Sequence, residues 1–192
     1  GAIIGMAQYF VGSNNINLLF PSGQLGTRLR GGKDHASPRY IFTKLSSITK
    51  FIFIQDDFAV LDYIEDDGML VEPRYYTPVI PMILVNGAMG IGTGFSTTIP
   101  CHNPLEIIDQ VEHVANVISA RGDPNGEDID GVNRVIDSVD LKALKPWYSG
   151  FKGTIDFRKN AYASHGVYEI VNSHTIRITE IPVGDWTAVH HE

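Results

Sequence analysis

The chain has 192 residues, of which 43% are hydrophobic and 19% charged, with one cysteine, Cys101, and a formal net charge of −7. This is enough apolar content for a buried core and too little charge for intrinsic disorder; one cysteine excludes an internal disulfide framework, and the apolar runs, such as 78–85, are too short and interrupted to span a bilayer. The total charge conceals an asymmetry: residues 1–50 carry six basic residues against Asp34 alone, a net of +5, while the other nine bases and 21 acids leave the rest at −12.

In chain order, residues 2–11 (AIIGMAQYFV) form an apolar helix or buried strand, ended by Gly12-Ser13-Asn14-Asn15. Residues 21–32 (PSGQLGTRLRGG) read as a loop or wing-like hairpin, because glycine lets backbone approach a neighbour closely. Pro38 turns Ser37 away from helix, and Phe42, Leu45, Ile48 and Ile52 then recur at helical spacing, which predicts a helix of about three turns from near residue 41. Asp67-Gly68 marks a turn within an acidic, tyrosine-containing stretch. A buried strand is expected from Pro81 to Val85, then a glycine cluster, NGAMGIGTGFS. Asn103, Pro104 and Glu106 have the composition of a helix start, with Ile107, Ile108, Val111, Ala115 and Ile118 on one face beyond it. Residues 121–130 are a turn-rich acidic connection, and 153–182 alternate in three short runs, as a small antiparallel sheet does. The class is mixed α+β, with a domain break within 75–100. No secretory leader is recognisable, and the chain reads as a piece of a longer protein.

The chemistry that these residues could carry is limited. The charge split makes residues 1–50 a candidate polyanion-binding face, although acidic loops elsewhere could simply aid solubility. In KDHASPRY, Tyr40 could act as a covalent nucleophile, with the planar fork of Arg39 on the oxygens of a phosphorus transition state. Arg-Tyr pairs are common, however, and a core tyrosine beside a surface arginine is the simpler reading of the spacing. Gly90-Ile91-Gly92-Thr93-Gly94 lacks the rest of a dinucleotide fingerprint and reads as a tight loop, yet Ile91 on such a loop could wedge between bases. Asp56-Asp57 and Glu65-Asp66-Asp67 have no ordered ligand spacing, the seven histidines show no metal pairing beyond the adjacent His190 and His191, and no acid orients His35 toward Ser37, so neither a metal site nor a serine nucleophile is expected.

Taken together, FVGSNNINLLFPSGQLGTRLRGGKDHASPRYIFT, VEPRYYTPVIPMILVNGAMGIGTGFSTTIP and FKGTI…ITEIPVGDW resemble, in this order, successive segments of the type IIA DNA topoisomerases of eukaryotic kind, cellular or from large DNA viruses. The likeness covers essentially the whole chain and is weakest over 105–150. It implies the C-terminal part of a winged-helix domain over 1–80, followed by the first part of a tower domain over 81–192. It further implies that Tyr40 forms a transient 5′-phosphotyrosyl link while a second duplex passes through the break. Arg39 matches the transition-state stabiliser, Ile91 the residue that intercalates and bends DNA, and Gln8 and Trp186 residues that contact DNA. Arg28, Arg30 and Lys33 are added as phosphate contacts on physical grounds.

The implied partners are double-stranded DNA and a second protomer, with Mg2+ and ATP bound elsewhere in the full-length protein. The compartment would be the nucleus for a cellular enzyme, or host cytoplasm or viral factory for a viral one. A catalytically idle DNA-binding module of the same fold is the alternative. Gly5 and Tyr9 depart from the asparagines usual in the family, Gly184-Asp185 replaces an Arg-Thr, and the loop 119–146 looks longer.

Overall fold

The computed structural model describes residues 1–121 and 129–191; the greater part of the expected acidic connection lies outside these residues. Helix α1 (Ala2–Ala7) opens the chain. Strand β1 (Leu19–Ser22) pairs antiparallel with β2 (Phe42–Leu45), in a register that sets Phe20 opposite Lys44, so residues 23–41 are the long loop of one hairpin. Ile4, Ala7 and Leu25 form a small core beneath it, with Leu19 and Ile41 packed alongside.

The three-turn helix expected from residue 41 is not formed. Phe42–Leu45 is extended, and only one turn, α2 (Thr49–Ile52), is helical. The apolar spacing suited a helix, but pairing with β1 satisfies the backbone of 42–45 from outside, and tertiary pairing overrides local preference. Thr49 then closes the helical turn against β1 by donating its hydroxyl to the Leu18 carbonyl at 2.6 Å.

Strands β3 (Tyr63–Asp66) and β4 (Met69–Pro73) form a hairpin turned at Asp67-Gly68, both at positive φ as a primed turn requires. The expected strand 81–85 is instead the single helical turn α3 (Met82–Val85). Val85 is fully buried there, and the Leu84 carbonyl accepts from both the backbone N–H and Nδ1 of His102, each at 2.9 Å. An apolar run of this length has no periodicity that separates buried strand from buried helix.

A two-stranded ribbon follows, β5 (Ala88–Gly92) with β6 (Phe95–Ile99). The helix start is as read: in α4 (Pro104–Arg121) the Leu105 N–H is capped by Asn103 Oδ1 at 3.0 Å. Ile107 is buried, while Val111, Ala115 and Ile118 line an apolar cleft toward Leu141 and Leu144 that Ile108 does not join. Helix α5 (Ile129–Asp137) lies beside α4.

The C-terminal run holds four strands in two separate hairpins rather than three in one sheet. These are β7 (Thr154–Arg158) with β8 (Ala161–His165), and β9 (Val167–Asn172) with β10 (Thr175–Glu180). The missed turn is Lys159-Asn160, where both residues take positive φ without glycine. The architecture is thus mixed: short helices and small antiparallel sheets. Among the described residues no helix is long and apolar enough to cross a membrane.

Candidate functional site

Tyr40 ends a 3-10 turn, Pro38–Tyr40, between the basic loop and β2. Pro38 presets the first position of the turn, and the Tyr40 N–H donates to the Ser37 carbonyl at 2.9 Å. The next residue, Ile41, packs on the core, so the turn is anchored from below while Tyr40 stands 66% exposed. The Arg39 guanidinium carbon lies over the Tyr40 ring, 4.9 Å from its centroid, which keeps a planar, permanently charged donor fork beside the phenol.

The basic loop upstream is tied to itself. Asp34 accepts from the Thr27 hydroxyl at 2.5 Å and the Thr27 N–H at 2.9 Å, and these hydrogen bonds, the hydroxyl's first, hold its carboxyl below the usual carboxylate range. The Gly32 N–H closes onto the Thr27 carbonyl at 2.8 Å. A Cβ on Gly31 would run into the Trp186 indole and one on Gly32 into the Gln8 amide; both residues take positive φ, and at Gly31 the rigid ring makes close approach a second reason for glycine. Gln8 donates to the Leu25 carbonyl at 2.8 Å, and Trp186 meets Phe10 edge-on with centroids 6.0 Å apart. Arg28 pairs with Glu180 at 2.6 Å and donates to the Ile181 carbonyl at 2.9 Å.

A second knot carries the ribbon. The Asn15 side-chain N–H group faces the carbonyls of Val85, His102 and Trp147, each at 3.0 Å, and its Oδ1 accepts from the Ser149 N–H at 2.8 Å. Asn86 exchanges both amide bonds with the backbone of Ile16. Cys101 is buried beneath, its thiol 3.0 Å from the Asn86 carbonyl and pushed up to about 11 by burial; burial also raises the Tyr148 phenol. From this base β5 and β6 project outward, and Ile91 is 88% exposed.

Known proteins resemble this chain over its whole length. The family model for the A subunit of DNA gyrase/topoisomerase IV matches residues 1–192. The chain belongs to this family. Its relatives include proteins named DNA topoisomerase 2 from Arabidopsis thaliana, 50% identical over 96% of this chain and 12% of the relative, and from Acanthamoeba polyphaga mimivirus, 48% identical over 96% of this chain and 13% of the relative. The DNA-binding, cleavage and re-ligation domain of Plasmodium falciparum topoisomerase II superposes with a TM-score of 0.81 at 43% identity, over 98% of this chain and 23% of that one. The chain therefore spans about an eighth of the length of these curated topoisomerases.

Within this topoisomerase segment, the residues singled out from sequence divide into two sets. Tyr40, Arg39, Arg30, Lys33 and Ile91 are exposed. Gln8, Trp186 and Arg28 are gathered into one part-buried knot, where their polar or aromatic groups hold neighbouring backbone and side chains. Asn15, Asn86 and Glu180 were not singled out, although each organises the surroundings of the site. An asparagine or glutamate that ties distant segments together carries no local pattern, and only the position of Asn15 in a turn-rich stretch hinted at a side-chain role. Among the described residues no group of three His, Cys, Asp or Glu side chains is placed to hold a metal ion.

Proposed function

We propose that this chain is part of the DNA breakage-reunion core of an ATP-dependent type II DNA topoisomerase, with Tyr40 as its nucleophile. The observation that carries the reading is the exposed Arg39-Tyr40 pair, held on an anchored turn beside a basic loop, in a member of this family. The Tyr40 oxygen bonds to phosphorus as the P–O3′ bond breaks. The phenol proton ends on the departing 3′ oxygen overall, leaving a 5′-phosphotyrosyl link that the reverse reaction reseals. Arg39, stacked on the Tyr40 ring, is assigned to hold the equatorial oxygens of that transition state through its planar fork. Arg30 and Lys33 supply positive charge for neighbouring phosphates.

The ribbon supports a second role. Ile91 is an apolar tip on a slim, glycine-containing hairpin, and a wedge of this kind unstacks one base step in exchange for a bent duplex that meets more protein surface. Residues 1–80 and 81–192 are assigned to a winged-helix and a tower domain on the strength of the resemblance. A second protomer is assigned on the same ground. Mg2+ and ATP are assigned to other parts of the full-length protein on the strength of the resemblance. A cellular form would act in the nucleus and a viral one in host cytoplasm or a viral factory, which imaging of a tagged protein separates.

The test is covalent trapping. Full-length protein is incubated with end-labelled duplex and magnesium, denatured, digested and mapped. The expected result is a 5′-linked adduct on Tyr40 that disappears in Tyr40→Phe. DNA binding without an adduct in either protein would establish the idle DNA-binding module instead.

A further inference from the structure

Glu180 closes β10 and is 7% exposed; among the described residues no other acidic residue is buried. Its Oε2 accepts from the Lys152 N–H at 3.0 Å, and its Oε1 from the Ile181 N–H at 3.1 Å and from Arg28 Nη1 at 2.6 Å. Arg28 Nη2 donates to the Ile181 carbonyl at 2.9 Å, so the guanidinium is gripped from two sides. Two neighbouring points fasten the same loop to the same segment: Ala188 N–H to the Leu29 carbonyl at 2.9 Å, and the Trp186 indole over Gly31. From there the Thr27–Asp34 clip and the Ala36 to Gln24 backbone bond lead to the Tyr40 turn.

Resting on the cleavage reading above, we infer that Glu180 is a positioning residue for the reaction at Tyr40. Through Arg28 it clamps residues 27–33 onto the segment after β10, so that Arg30 and Lys33 engage the DNA backbone in the register that delivers one phosphodiester to Tyr40. Arg28 acts inside the protein rather than on a phosphate. Turning it to DNA would strand a buried carboxylate, which is costly in a water-poor site.

The experiment uses full-length dimer carrying Glu180→Gln, Arg28→Gln, Arg28→Lys, or both glutamines together. Covalent capture on end-labelled duplex with magnesium is measured, alongside the salt dependence of DNA binding. Glu180→Gln and Arg28→Gln should each lower capture roughly 10- to 100-fold, the scale of a small misplacement of reacting groups. The double variant should be no worse than either single one, and Arg28→Lys should recover most of the loss. The salt slope should stay at the wild-type value throughout, a readout that a DNA-contacting Arg28 would change.

A slope smaller by about one in Arg28→Gln, with capture intact in Glu180→Gln, would make Arg28 a phosphate ligand and overturn the inference. Should Glu180→Gln fail to fold, shown by ready alkylation of buried Cys101, the two Arg28 variants decide on the same criteria. Wild-type protein giving no adduct would refute the cleavage reading; the salt slope of Arg28→Gln would then decide the placement of Arg28 by itself, unchanged for the clamp and reduced against it.

Discussion

The two ends of the site differ in how they are held. Around Gly31, Trp186, Gln8 and Arg28, the Gln8 amide N–H group and the Arg28 guanidinium meet partners, and the Trp186 indole approaches Gly31 so closely that a single methyl group does not fit. The β5–β6 ribbon is the opposite: Met89, Ile91 and Phe95 are exposed on a hairpin held by cross-strand pairing. Internal partners concentrate in the knot, and exposed side chains concentrate on the ribbon and the Tyr40 turn. The basic loop is held by the first knot and the ribbon by the second, around Asn15 and Asn86, so exposed groups stand on anchored backbone in both places.

The largest test of this contrast is Gly31→Ala. Positive φ and a Cβ driven into an indole that is itself braced by Phe10 and Gly12 should together cost about 2–5 kcal/mol, read from the urea midpoint. An unchanged midpoint would mean that Trp186 moves freely and that no tight knot exists. Ile91→Ala sharpens the other side. With the side chain 88% exposed, stability should stay within about 0.5 kcal/mol, while full-length protein bends duplex less in an end-to-end energy-transfer assay. A large loss of stability with bending retained would place Ile91 in a packing role.

The smallest effect concerns acid. The carboxyl of Asp34 is held below its ordinary value of 3.8, so the Thr27–Asp34 clip contributes its full stability above that pH and loses it as pH falls through the lower folded value. Thr27→Val removes the hydroxyl and should flatten the stability curve slightly below pH 3.8, with little difference in its shape near neutrality. An equal slope in both proteins at low pH would show that the clip does not form in solution.

Much of the local wording was legible in the sequence. Asn103-Pro104-Leu105-Glu106 starts a helix because its cap chemistry is local, and Asp67-Gly68 turns a hairpin because both residues tolerate positive φ. The same locality misled at 42–52 and 81–85, where apolar spacing was compatible with more than one backbone form and pairing or burial chose between them. Lys159-Asn160 escaped notice because a primed turn without glycine has little signature.

For the site, the order of the motifs brought Tyr40, Arg39 and Ile91 forward, and family membership follows from that same wording over all 192 residues. Composition placed the positive charge in residues 1–50 and left Arg28, Arg30 and Lys33 equivalent. The tertiary structure separated them. Glu180, 152 residues away in sequence from Arg28, draws one of the three cations inward and leaves the other two exposed. Local sequence determines caps, turns and charge density because these depend on neighbours along the chain. The identity of the partner that each charge meets depends on segments far apart in sequence, and that was decided only when the chain folded.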